Sequence, residues 1–171
     1  MSDIVVPEKS YHFHSVRALP MTISVQNRQR AIAIDTPGVK RRLQHVMAYL
    51  GCDQRELSVV WGNDRLLHDL NRTYRHKDRP TNVLAFPQTP VIDMASGACP
   101  ATDLLGDVIV SLPIAAREAG DLEQPLEARV VYLVIHGLLH LLGYDHEGAV
   151  AERQRMATLE QEILAYLSET G

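Results

Sequence analysis

Three histidines fall at positions 136, 140 and 146, in the stretch HGLLHLLGYDH. Neutral imidazole is a metal ligand as well as a proton carrier. In a helix, a step of four residues brings two side chains ~40° apart, one turn above the other, so one ion can reach both rings. Gly143 can take the left-handed conformation that ends a helix, and the following turn can return His146 to the same point. Three imidazoles with a fourth position left open make a catalytic zinc site rather than a closed structural one.

A single histidine on an apolar face is most often a hydrogen-bonded core residue. Three at this spacing around a glycine favour one shared ion, and His136, His140 and His146 are the expected ligands of one Zn2+. Imidazoles also accept nickel, copper or iron. Zinc peptidases with a histidine pair at this spacing carry Glu directly after the first His as general base. Here that position is Gly137, so the usual route to peptide hydrolysis lacks its base unless Asp145 or a distant carboxylate replaces it.

Elements must hold these rings. Leu126 to Leu142 is nearly all apolar and too long for an ordinary strand. It reads as a central helix, with Pro125 and Glu127 suited to its start. Met21–Gln26, Glu56–Trp61, Val83–Phe86 and Leu104–Val110 read as strands, with Pro87 closing the third. Thr36-Pro37 offers a cap and first-turn proline for a helix to about Leu50, stopped by Gly51. Asn63 or Asp64 can cap a helix to about Tyr74 with Leu66, Leu67 and Leu70 inward. Pro113–Glu118 reads as a short helix. Val150–Leu167 reads as a final amphipathic one, with Met156, Leu159, Ile163, Tyr166 and Leu167 as core. The expected architecture is a single α+β domain over 21–171, a mixed sheet of about four strands with helices packed on it. Residues 1–20 form an extension expected to be poorly ordered, in which His12 and His14 are not taken as ligands. A Pro/Gly/Ala-rich stretch from Gln88 to Asp103 reads as a long surface loop.

The net charge of −4 gives no global sign of nucleic-acid binding. Locally, Arg72, Arg75, Lys77 and Arg79 stand against Asp78 alone between Asn71 and Pro80, a dense basic patch at a helix end and loop. Asp107 is the only charge in LLGDVIV. It needs either water at a strand edge or a partner Arg or His near the site. Cys52 and Cys99 are far apart and lack metal-ligand spacing. With no secretory signal ahead of them, both are expected as free thiols in a reduced, cytoplasmic protein. No apolar run reaches the ~18 residues of a membrane span.

Three stretches in order, NRTYRHKDRPTNVLAFP, LLGDVIV and HGLLHLLGYDH, resemble the YbeY family of bacterial endoribonucleases, also called rRNA maturation factors. The likeness covers about Met21 to Leu167. Ala85 stands where the family often has Ser. The resemblance implies a zincin-like fold with a central metal-binding helix. It implies a zinc-dependent, single-strand-specific endoribonuclease acting on the 3′ end of small-subunit rRNA and in ribosome quality control. Its partners would be single-stranded RNA, rRNA and the small ribosomal subunit, not DNA or membrane. By motif, His136, His140 and His146 would hold the metal, with His136 also a candidate for proton transfer. Arg75 matches the family's functional Arg, and Asp107 matches an acidic residue of its site, placed to orient Arg75 or a histidine. Arg72, Lys77 and Arg79 would guide the RNA backbone. The competing readings are a zinc-stabilised module that docks on the assembling ribosome with little catalysis and, behind it, a metallopeptidase.

Overall fold

Alternation along the second strand sorts the molecule into two faces: Leu57, Val59 and Trp61 are fully buried, while Ser58 between them is only partly covered. The computed structural model describes residues 22–88, 99, 103–145 and 149–170. Four strands, β1 (Thr22–Asn27), β2 (Glu56–Gly62), β3 (Val83–Pro87) and β4 (Leu104–Ser111), form one sheet in the order β1-β2-β4-β3. β1, β2 and β4 are parallel, and β3 runs antiparallel on the edge beside β4. Pro87, expected to close the third strand, is its last residue, which an edge strand tolerates.

Five helices complete the described residues: α1 (Thr36–Tyr49), α2 (Asp64–Arg75), α3 (Leu112–Asp121), α4 (Leu126–Leu141) and α5 (Val150–Thr170). This is the mixed α+β domain with a four-stranded sheet that the hydrophobic pattern predicts. No helix among the described residues is long and apolar enough to cross a membrane. The cap of α1 is Asp35, whose Oδ1 accepts from Gly38 N at 3.0 Å, and not Thr36. Thr36 lies inside the first turn, where its hydroxyl accepts from Trp61 Nε1 at 3.1 Å. Asn63 caps α2 by accepting from Leu66 N at 2.9 Å.

α4 is the central element. It touches β3, β4, α1, α3 and α5, and Val130, Val131, Leu133, Val134, Ile135, Leu138 and Leu139 on it are buried. Gly137 lets it lie close to the sheet: a Cβ there would come within 2.7 Å of Val108 Cγ1 and 3.4 Å of Val83 Cγ2. The helix stops as the sequence predicts. Gly143 sits at φ 88°, Gly143 N donates to His140 O and Tyr144 N to Leu139 O, both at 3.0 Å, which is a Schellman ending.

In β4, Gly106 adopts φ 145° where the pairing with β2 shifts register between Glu56 and Ser58. A side chain there would run into the Phe86 carbonyl oxygen. The bulge re-phases the strand, so Leu105 shares the buried side with Val108 and Val110.

The cysteines correct an expectation. Cys52 and Cys99 are bridged by a disulfide across 47 residues of sequence, with Cα atoms 5.5 Å apart. Cys52 is fully buried after α1, and the chain after β3 brings Cys99 back to it. Sequence distance conceals that return. Residues 1–20, with His12 and His14, lie outside the described residues, as does most of the Gln88–Asp103 loop.

Candidate active site

Tyr132, His136 and His140 follow one another at steps of four along α4. His136 Nε2 and His140 Nε2 are 3.2 Å apart. Two nitrogens bound to one tetrahedral zinc at ~2.0–2.1 Å stand ~3.3–3.4 Å from each other, so this pair is already spaced for a single ion. His146, the third expected ligand, lies outside the described residues. Among the described residues no group of three His, Cys, Asp or Glu converges as a metal cluster.

The other nitrogen of His136 has a partner that sequence reasoning missed. Nδ1 is 2.7 Å from Glu160 Oε1 on α5, and Tyr132 Oη donates to Glu160 Oε2 at 3.4 Å. An ionised carboxylate only accepts, so Nδ1 carries the proton and Nε2 turns its lone pair to the cavity. The side chains are 21% exposed for His136 and 12% for Glu160. Burial, followed by the Glu160 charge, pushes the Tyr132 phenol above its ordinary value. A signal existed: Glu160 falls in the stripe Met156, Glu160, Ile163, Leu167, and the other three are core. A carboxylate in an inward stripe requires a partner.

His136, Gly137 and His140 line a cavity of about 320 Å3 together with Arg75, Thr81, Asn82, Val83, Leu84, Ala85 and Asp145. Arg75 is the last residue of α2, so helix length brings it to the wall of the cavity that the histidines also line. Asp145 arrives from the turn after α4. The cavity therefore gathers a basic side chain, two imidazoles and a carboxylate against the free side of an edge strand.

Asp107 is not gathered there. It lines a second cavity, with Gln26, Arg28, Ser58, Val60, Leu66, Leu70 and Ile109. Val108 packs under Gly137, and the neighbouring residue must face the other way. The expectation that Asp107 orients a histidine fails on this alternation: Asp107 sits on the α2 face of the sheet, the histidines beyond the α4 face.

The basic patch is built rather than loose. His76 ends α2 in a left-handed conformation, Asn71 Nδ2 donates to Arg79 O at 2.7 Å, and His68 Nε2 donates to Asp78 Oδ1 at 2.7 Å. These bonds hold residues 76–79 against α2, with Arg72 and Arg79 exposed and Lys77 half-buried. Arg72 also pairs with Asp69 at 3.3 Å. The loop then runs directly into Thr81 and Asn82 of the cavity wall.

Residues 24–168 match the family model described as Endoribonuclease YbeY. The chain is 42% identical over 154 residues to the Endoribonuclease YbeY of Geobacter metallireducens, covering 88% of this chain and 99% of that one. It is 40% identical to the protein of the same name from Pelotomaculum thermopropionicum, again over 88% and 99%. Among solved structures, the solution structure of TM1509 from Thermotoga maritima shares the fold, with a TM-score of 0.54 and 22% identity over 87% of this chain and 93% of that one. A match that runs from β1 to the end of α5, and so takes in both histidines of α4, Arg75 and the cavity wall, makes the chain a member of the YbeY endoribonuclease family.

Proposed function

We propose that this protein is a zinc-dependent, single-strand-specific endoribonuclease that acts in rRNA maturation, at the 3′ end of small-subunit rRNA, and in ribosome quality control. Membership of the family supports RNA cleavage. The observation that carries zinc dependence is the 3.2 Å separation of His136 Nε2 and His140 Nε2 in a cavity shared with Arg75. With His136 and His140 on a zincin-like helix and His146 beyond it as third ligand, the bound zinc would supply Lewis acidity toward the phosphodiester.

The chain's own groups divide the remaining work. Arg75 steadies the extra negative charge that develops on the phosphoryl oxygens, as a fork of donors suited to phosphate. His136, kept in one tautomer by Glu160, presents the Nε2 lone pair to the cavity and is a residue that would hold the metal. Asp145, at the cavity rim, is a further acceptor for a proton. Arg72, Lys77 and Arg79 draw the RNA backbone along the pinned loop toward the cavity, which lets an acidic protein engage a polyanion. The partners in this reading are single-stranded RNA and the small ribosomal subunit, in the cytoplasm.

Metal analysis of the purified protein, followed by digestion of labelled single-stranded RNA, its duplex and a DNA of the same sequence, tests this directly. One zinc per chain and chelator-sensitive cutting of the single-stranded RNA alone are expected. Cleavage indifferent to chelator, or a protein that binds no ion, overturns the proposal.

A further inference from the structure

Asn82 lies immediately before β3 and lines the cavity beside His136 and Arg75. Its amide is clamped. Nδ2 donates to Glu118 Oε1 at 2.9 Å, and the other Glu118 oxygen accepts from Arg129 Nε at 2.8 Å. The Glu118 and Arg129 side chains are 29% and 16% exposed, so the pair is sheltered from bulk water. A carboxylate offers no donor, so the amide must turn its nitrogen, not its oxygen, toward Glu118. The backbone carbonyl of Asn82 is already taken by Ser111 N at 2.9 Å. With Nδ2 fixed on Glu118 the amide cannot flip, and Oδ1 is the acceptor that Asn82 can offer the cavity.

An acceptor repels phosphate oxygens and suits a hydroxyl or an N–H. Of the donors on a ribonucleotide, the 2′-hydroxyl stands next to the phosphodiester, whereas base N–H groups lie beyond the sugar. We infer that Asn82 is a specificity-determining residue whose Oδ1 accepts a hydrogen bond from the 2′-hydroxyl at the cleavage site, with Glu118 and Arg129 as positioning residues behind it. This rests on the ribonuclease reading above and adds how the site tells RNA from DNA, since the 2′-hydroxyl is the group that distinguishes them at one position.

The test uses the metal-loaded full chain. KM is measured on a single-stranded RNA oligomer, and an uncleaved 2′-deoxy oligomer of the same sequence serves as competitive inhibitor. Asn82→Ala should raise KM for RNA about tenfold, the loss of one good neutral hydrogen bond, and leave the inhibition constant of the deoxy oligomer unchanged. Glu118→Gln, which keeps Asn82 but weakens its clamp, should move KM in the same direction by about threefold. Asn82→Ser, with an unchanged unfolding temperature as control, covers the case in which the alanine variant folds poorly. Equal shifts for both oligomers, or none, overturn the inference. So does a variant that changes preference for the base at that position while keeping the ribose preference. A wild-type chain that cuts no single-stranded RNA removes the ribonuclease reading and the inference with it. Normal cutting with an unmoved KM in the variants removes the inference alone.

Discussion

Glu160, twenty-four residues beyond His136, brings a carboxylate oxygen to 2.7 Å from the Nδ1 of that ring. Carboxylate behind a metal-binding imidazole fixes its tautomer and raises its basicity, and loss of such a partner weakens metal binding about 10–100-fold. Glu160→Gln should therefore lower zinc affinity by about that factor, with the helical circular-dichroism signal retained. Competition against a chromogenic chelator measures it, and equal affinity in variant and wild type would sink the assignment.

Arg75→Ala should cut turnover about 10²–10³-fold, the range for losing one donor to transition-state charge. Zinc content should stay at the wild-type level, because Arg75 reaches the cavity from α2 and not from the helix that carries the imidazoles. Loss of metal in this variant would refute the division of labour.

Asp107→Asn should leave kcat and zinc content within about twofold of wild type. The side chain lines the cavity under α2, and a neutral isostere disturbs little on a partly exposed face. A turnover loss comparable to that of Arg75→Ala, in a protein with normal stability, would return Asp107 to the chemistry.

Asp64 couples the start of α2 to the end of β4 and to α3. Partial burial works to raise its pKa, but Ser111 Oγ at 2.6 Å and Arg117 Nη2 at 2.8 Å outweigh that and hold the carboxyl below its ordinary value. A group depressed in the folded state adds stability above its unfolded pKa of about 4, and that stability is lost as pH falls through the folded value. Asp64→Asn should thus be less stable at pH 7, by on the order of 1 kcal/mol or less for so exposed a pair. The gap should narrow as pH drops below about 4. Urea midpoints at pH 7 and pH 3 give the comparison, and a pH-independent gap contradicts it.

Much of this arrangement could be read from the chain. The apolar run up to His136 announced a buried helix, Gly143 announced its end, and the four-residue step announced two rings on one face. Arg75 could be placed beside them only through motif resemblance, since nothing local in α2 says where its last turn points. The misses share a cause. Glu160, the Cys52–Cys99 bridge and the clamp on Asn82 are contacts between segments 24, 47 and 36 residues apart, and periodicity within a segment can show that a residue such as Glu160 needs a partner but not which one. Asp107 is different, because strand alternation against Val108 already stated that the two face opposite ways.

Gly137 also bears on what this scaffold could become. The position where a peptidase would carry its general base is pressed against Val108, with no room for even a methyl group. A glutamate there would have to push α4 off the sheet, carrying both imidazoles away from the β3 wall of the cavity. One mutation therefore cannot convert this centre to amide hydrolysis. The route would require first hollowing out β4 beneath the helix, an intermediate with a weakened core and no new activity to reward it.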